Sequence, residues 1–495
     1  MKLSEKFDLK VTQLELDFID IDLDKDCPLY IDPFLIANIN CQWAIQTDRV
    51  IKNFFNEFKL QILNNEYDRA EELLQFMAEP KETCLGISKK GTMNGRGVGK
   101  LNAKGILEKI VESNAIEKGL LKNIEDITIF VDDIDRDKLS DMVTNIIRKK
   151  LIEYTQSQCK LWNIELVEAD TLPYWNPVDS RWVYSSENLL VIDKTREILL
   201  VPKSIVSAIS IYDISKYKWN FVVEQERNLH LQRRSFLVKV RKLKNGEDKY
   251  YLPKKDVDKN ISQQIADGTF SNTKDYIRQY TQRYPQLFAQ FIDSCTNKVC
   301  SMTNEQVIQV IKEKDINEII DGLIIKLQDI PIGKENASLY HRYVKSLLEI
   351  LWYPYLVNPI IEKEINNGRK RIDIVMDNNA SKGFFYDMHQ ITKIFCPYVY
   401  IECKNYGKDV ANPEIDQLSG RFSGGRGQFG VLLCREIKDK DLFLKRCQDT
   451  YKDGRGLVIF LIDEDIIAMF NAIKEDEPQK IWHLLDDKKR QVILS

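Results

Sequence analysis

A chain of 495 residues is too long for one ordinary hydrophobic core, so two or three domains are expected. With 43% apolar and 30% charged residues the composition is that of a soluble globular protein, and a net charge of −3 excludes nucleic-acid binding by overall charge; any such surface has to be local. The ten cysteines form no C-x-x-C pair and the four histidines no H-E-x-x-H, which argues against a zinc hydrolase or a histidine-based nuclease. No hydrophobic signal core opens the chain, and no uncharged apolar run reaches about eighteen residues, so we expect no membrane span and a cytoplasmic protein with reduced, buried thiols.

The first region, residues 1–175, reads as mixed α+β. Apolar residues recur at helical spacing from Phe54 to Met77, with a break at Asn64–Asp68. A glycine-rich loop follows at 86–99. Its backbone N–H groups, with Gly95, Gly97, Gly99 and Lys100, are a candidate anion site, but the Walker A spacing fails because Asn94 stands where the first glycine belongs and Leu101 replaces Ser/Thr. A flexible loop is the simpler reading. Ile127–Val131 is expected to be a buried strand, with Asp137 or Ser140 capping a long helix through Ile146, Ile147, Leu151 and Tyr154. Asp132, Asp133, Asp135, Asp137 and Asp141 then read as acids at a helix start that support the fold, with a second metal site as the alternative.

The second region, 176–331, opens with strand-like runs at Trp182–Tyr184, Leu189–Ile192 and Glu197–Val201, and ends in aromatic-rich helices. Between them lies the most basic stretch, residues 233–255. Arg241, Lys242 and Lys244, interleaved with Phe236, Tyr250 and Tyr251, suit phosphate contacts; the alternation equally suits a strand with a solvated face. Gln328–Gly333 is the expected junction.

The third region, 332–495, predicts a helix at 336–351, strands near 359–365, 371–376, 397–403, 429–434 and 456–462, and helices near 412–420, 438–450 and 463–474. Helices alternating with short buried strands imply a mixed sheet covered on both faces. Two strands carry the chemistry: Arg371-Ile-Asp373-Ile-Val375, and Ile401-Glu402-Cys403-Lys404-Asn405. Side chains alternate along a strand, so Glu402 and Lys404 share a face and Cys403 points away. Glu414-Ile-Asp-Gln417-Leu-Ser-Gly-Arg421 follows on a helix.

In these residues the third region resembles the PD-(D/E)xK nucleases, and most closely their Mrr-like branch. The resemblance covers about residues 335–470. It implies an α/β protein: a C-terminal restriction-endonuclease-like mixed sheet flanked by helices, preceded by α+β regions of unassigned fold. It further implies Asp373 and Glu402 as ligands of Mg²⁺ (with Mn²⁺ able to substitute), Glu349 as an additional acid on the preceding helix, and Lys404 and Gln417 acting on the water and the phosphate. The long Asp373–Glu402 separation requires an insertion at 377–395, and Ile372 replaces the usual proline.

The expected activity is metal-dependent hydrolysis of phosphodiester bonds in DNA, in the manner of prokaryotic restriction or anti-phage defence, with Arg421 an additional nucleic-acid contact. RNA as substrate remains an alternative, as does a catalytically inactive, nuclease-fold binding or sensor subunit of a nucleic-acid-associated complex. A protein partner or a second copy of the chain is compatible with each reading.

Overall fold

The computed structural model describes residues 1–86, 100–193, 195–312, 316–365, 370–405 and 412–494. Gly95, Gly97 and Gly99 of the glycine-rich loop lie outside these residues. Lys100 begins the helix Lys100–Ser113.

Two apolar clusters divide the chain. The first runs from Leu3 to Val307 and takes in Tyr353 and Val357; the second runs from Ile308 to Val492 and takes in Leu14. The first cluster draws on both sides of the expected 175/176 boundary. The physical reason is a helix, α1 (Arg148–Trp162), that packs on the strand Ser186–Ile192 and whose Thr155 hydroxyl accepts the Leu200 N–H at 2.9 Å.

The helical run from residue 54 breaks where the polar residues predict: Gln42–Leu63 and Tyr67–Leu74 are separate helices. Ile127–Val131 is not a strand. Asp126–Phe130 is a short helix, and the Asp126 carboxylate accepts the N–H groups of Lys122 and Asn123, both at 2.8 Å. A short, continuous apolar run fits either element when it is buried on all sides, as Ile127, Ile129 and Phe130 are. The expected long helix is also two, Arg136–Ile146 and α1, and its N-cap is Asp135, whose side chain accepts from Lys138 N–H, in place of Asp137 or Ser140. Ser140 instead accepts the N–H of Ile31.

The third region is built on a five-stranded mixed sheet in sequential order: β1 (Leu356–Ile365), β2 (Lys370–Asn378), β3 (Tyr398–Lys404), β4 (Phe429–Cys434) and β5 (Leu457–Ile462). The first three strands are antiparallel; β3, β4 and β5 are parallel. Parallel strands need crossovers, here α3 (Asn412–Ser419) and α4 (Lys440–Lys452). The helix α2 (Ala337–Trp352) leads into the sheet and packs across β1, β2 and β3, and α5 (Asp463–Lys474) and α6 (Gln479–Ile493) close the chain. Every residue of β4 and β5 is buried, as expected for parallel strands covered on both faces. The insertion between β2 and β3 is a helical turn at Phe384–Ile391.

The two clusters meet through buried charge. Lys203 and Lys345, both fully buried, face Glu349 at 3.3 and 2.6 Å. Asp17, also in this cluster, accepts Tyr154 O–H at 2.7 Å and Asn358 N–H at 3.2 Å. Burial and the Glu349 charge push the Asp17 carboxyl up to about 6. Lys345 also stands over the Trp162 ring at 4.9 Å, which fixes the end of α1 against α2.

Nine of the ten cysteines are buried and all are free thiols. Among the described residues no helix is long and apolar enough to cross a membrane.

The acids at 132–141 have distinct partners. Asp132 pairs with Arg278 at 3.3 Å and Asp133 with Lys109 at 3.3 Å. Asp141 differs, because burial, followed by Asp137, Glu79, Asp135 and Asp26, raises its carboxyl to about 8. The folded state therefore holds this proton more tightly than the unfolded chain. The stabilisation is complete below the unfolded carboxyl range and disappears as pH rises through about 8. We predict that Asp141→Asn melts at a higher temperature than the wild type at pH 8–9 and that the difference shrinks towards pH 4. Equal melting curves at both ends of this range would contradict the assignment.

Candidate functional site

The β2–β3 ladder ends at Ile374 opposite Ile401, and β3 runs on to Lys404 paired only with β4. One further step of the register sets Asp373 across from Glu402. The strands part there, and the freed N–H of Cys403 donates to Asp373 Oδ2 at 3.0 Å. Cys403 itself points into the core, and burial drives its thiol far above the ordinary range.

Glu402 has no exposed surface. Its Oε1 accepts from Lys404 Nζ and from Gln417 Nε2, each at 2.6 Å, and its Oε2 accepts from Arg421. The Glu402–Lys404 contact follows from period two along a strand. The other two depend on how α3 lies on the sheet. Gly430 of β4 makes that approach close, since a Cβ there would meet Leu418 at 3.0 Å. Gly456, at φ +102°, leaves room for Phe422 beside Arg421; a Cβ there would stand 2.5 Å from the Phe422 ring.

His341, on the first turns of α2, brings Nδ1 to 4.0 Å from Asp373 Oδ2. Burial lowers its pKa; Asp373 opposes the shift and Lys404 adds to it. Asn405 holds this end of α2 in place. Its side-chain amide donates to the carbonyls of Pro331 and Gly333, both at 3.0 Å, and its own carbonyl accepts the Gly333 N–H at 3.1 Å.

Asp373, Glu402, Lys404 and Gln417 thus come together with two residues that sequence reasoning did not put there. His341 was missed because a helical histidine before the first site strand carries no local signal. Arg421 is expected from its place after Gln417 to be an additional nucleic-acid contact. It is 6% exposed and bonded to Glu402, and burial lowers its pKa against the favourable charge of Asp373. Glu349 is not part of the site. It lies eight residues beyond His341 on α2, about 12 Å along the axis, and pairs with Lys345 and Lys203 between the two apolar clusters.

Among the described residues no group of three or more His, Cys, Asp or Glu side chains is placed to hold a metal ion. The protein donors here are two carboxylates, Asp373 and Glu402. Carboxylate oxygen is the donor type that Mg²⁺ takes, completed by water. Both Glu402 oxygens already accept from Lys404, Gln417 and Arg421, so an ion at Glu402 has to displace one of these donors.

The basic stretch forms a separate feature. Lys239–Lys242 and Asp248–Tyr251 make a two-stranded hairpin in which all eight residues are exposed. Arg241 stands directly opposite Lys249, a like-charge pair that weakens the ladder. Phe236, Val240, Tyr250 and Tyr251 are exposed around it, and Arg234 lies over the Tyr250 ring at 4.4 Å. Both faces are solvated, where the alternation led us to expect one.

A family model described as a domain of unknown function (DUF8370) matches residues 8–213. Apart from Leu14, its buried apolar residues belong to the first cluster, and it ends before the sheet that carries Asp373 and Glu402. No curated protein and no solved structure matches the chain.

The ion pairs of Glu402 decide what its removal does. Glu402→Ala leaves Lys404 and Arg421 buried without their counter-charge, a loss on the order of 3–5 kcal/mol in such settings. Asp373→Asn keeps an acceptor for Cys403 N–H at a partly exposed position. Chemical denaturation should therefore rank Glu402→Ala well below Asp373→Asn in stability, and Asp373→Asn within about 1 kcal/mol of the wild type. The reverse order would contradict the network.

Proposed function

We propose that residues 332–495 hydrolyse phosphodiester bonds in nucleic acid, with Mg²⁺ or Mn²⁺ held by Asp373 and Glu402. The observation that carries this reading is the convergence of Lys404 and Gln417 on Glu402 at the point where β2 and β3 part beside Asp373. When bound, the ion supplies Lewis-acid polarisation of the phosphate and a lowered pKa for water. Lys404 holds the attacking water and offsets charge on the phosphate as the new P–O bond forms and the bond to the leaving oxygen breaks. Gln417 orients that water. Cys403 serves through its backbone, whose N–H fixes Asp373. DNA is the preferred substrate on the resemblance to restriction enzymes, and a role in prokaryotic defence follows from the same analogy.

A second reading rests on Arg421. Its bond to Glu402, added to that of Lys404, gives the buried carboxylate two cations from the chain itself. A fold so balanced serves as a binding or sensor module that recognises nucleic acid without cutting it.

Incubating the full chain with plasmid, linear, branched and single-stranded DNA and with RNA, with and without Mg²⁺ or Mn²⁺, separates the two. Hydrolysis predicts metal-dependent cleavage that Asp373→Asn and Lys404→Ala each reduce by at least about a hundredfold while the fold is kept, the scale on which general acid–base and electrostatic groups act. Binding without cleavage of any substrate would select the sensor reading.

The exposed hairpin is proposed as an auxiliary phosphate-binding ribbon. Replacing Arg241, Lys242 and Lys244 together by Ala should weaken nucleic-acid binding and flatten its salt dependence, since fewer counterions are released. Unchanged affinity and slope would leave the hairpin without this role.

A further inference from the structure

A cleft of about 460 Å³ lies between the two halves of the chain and reaches the site through His341. One wall is the last turn of α1 with Lys160, and the next residue beyond that helix, Asn163, also lines it. The other wall is the start of α2, with Ser338 and Arg342, and the bent strand β1, with Lys363. Lys160, Arg342 and Lys363 are exposed, and they come from three separate elements. Glu362 is the acid among the lining residues. Lys363 is paired with Ile372, the residue before Asp373, so the strand that lines the cleft runs beside the strand that carries Asp373. The opening turn of α2 adds the positive end of its dipole on the same side.

We propose that this cleft is the channel through which a nucleic-acid strand approaches His341 and the partly exposed Asp373 beside it, with Lys160, Arg342 and Lys363 contacting its phosphates. The proposal rests on the hydrolase reading for its direction and extends it. The first half of the chain, including the segment matched by the family model, supplies part of the substrate site. Three cations on the walls of a narrow passage suit the evenly spaced charge of a sugar–phosphate backbone, and such contacts give binding without base readout. The Lys345–Glu349–Lys203 cluster and the Trp162 stack fix the two walls relative to each other.

The test compares Asp373→Asn protein with Asp373→Asn carrying K160E, R342E and K363E. Binding of fluorescent single-stranded and duplex DNA and RNA is read by anisotropy over a salt series. The expected result is at least about a tenfold loss of affinity at low salt and a shallower salt slope, by about 0.7–0.9 for each phosphate contact removed. The melting curve should be unchanged. A K160Q/R342Q/K363Q version, with the same loss in smaller degree, guards against misfolding of the reversed-charge protein. Affinity and slope equal to the parent in a folded triple variant would overturn the channel, as would a parent protein that binds none of the four probes. The hydrolase reading is decided separately, by cleavage with wild-type protein. Cleavage with an unaffected triple variant sinks the channel alone. Charge-dependent binding without cleavage sinks hydrolysis and leaves the channel standing. Whichever sugar binds better identifies the substrate strand.

Discussion

A carboxylate with no exposed surface dictates how the end of β3 is built. Glu402 is buried where an isolated ion would cost several kcal/mol, so its surroundings have to return that energy. Lys404 does so from the same strand, Gln417 from α3, and Arg421 from the turn just beyond it. For the last two to reach, α3 must lie close to the sheet, and Gly430 and Gly456 remove the side-chain atoms that would keep it away. One buried charge therefore links strand register, helix packing and the choice of small residues on β4 and before β5. Arg421 has a double role in this arrangement: it balances Glu402, and it stands where it competes with any other cation for Oε2.

The second buried ionic cluster joins the halves of the molecule. Lys203 comes from the first apolar cluster, and Lys345 and Glu349 from α2. Such a set contributes less net stability than an apolar contact of the same size, yet losing one member leaves the others buried and uncompensated. It therefore favours a single orientation of α1 against α2. That orientation forms the walls of the cleft that ends at His341, so a charge cluster remote from His341 and Asp373 sets the shape of the cleft beside them.

Where sequence reasoning and structure part, the cause is tertiary. Ile127–Val131 is apolar and β-branched, which fits a strand, but Asp126–Phe130 is a helix; a short apolar run buried on all sides fits either element, and here its surroundings select the helix. Asp135 takes the cap expected of Asp137 or Ser140, while Ser140 turns to the backbone of Ile31. Glu349 has the spacing of a site acid on an amphipathic helix. Which buried partner a helix face meets is decided by the element packed against it, and here that is Lys203 from another part of the chain.

Local sequence determined the strands and crossover helices of the C-terminal sheet, the break near residue 64, and the shared face of Glu402 and Lys404. These depend on hydrophobic period, on turn residues and on alternation along one strand, all of which act over a few neighbours. The sequence also marked Asp373 and Gln417, because each sits in a short segment of recognisable pattern. Only the tertiary structure decided that Asp373 is held by the N–H of Cys403, that His341 joins it, that Arg421 turns inward, and that Glu349 is drawn away to Lys203. Those outcomes depend on strand register and on how helices cross the sheet. Both are set by the sum of many distant contacts, and no window of sequence contains them.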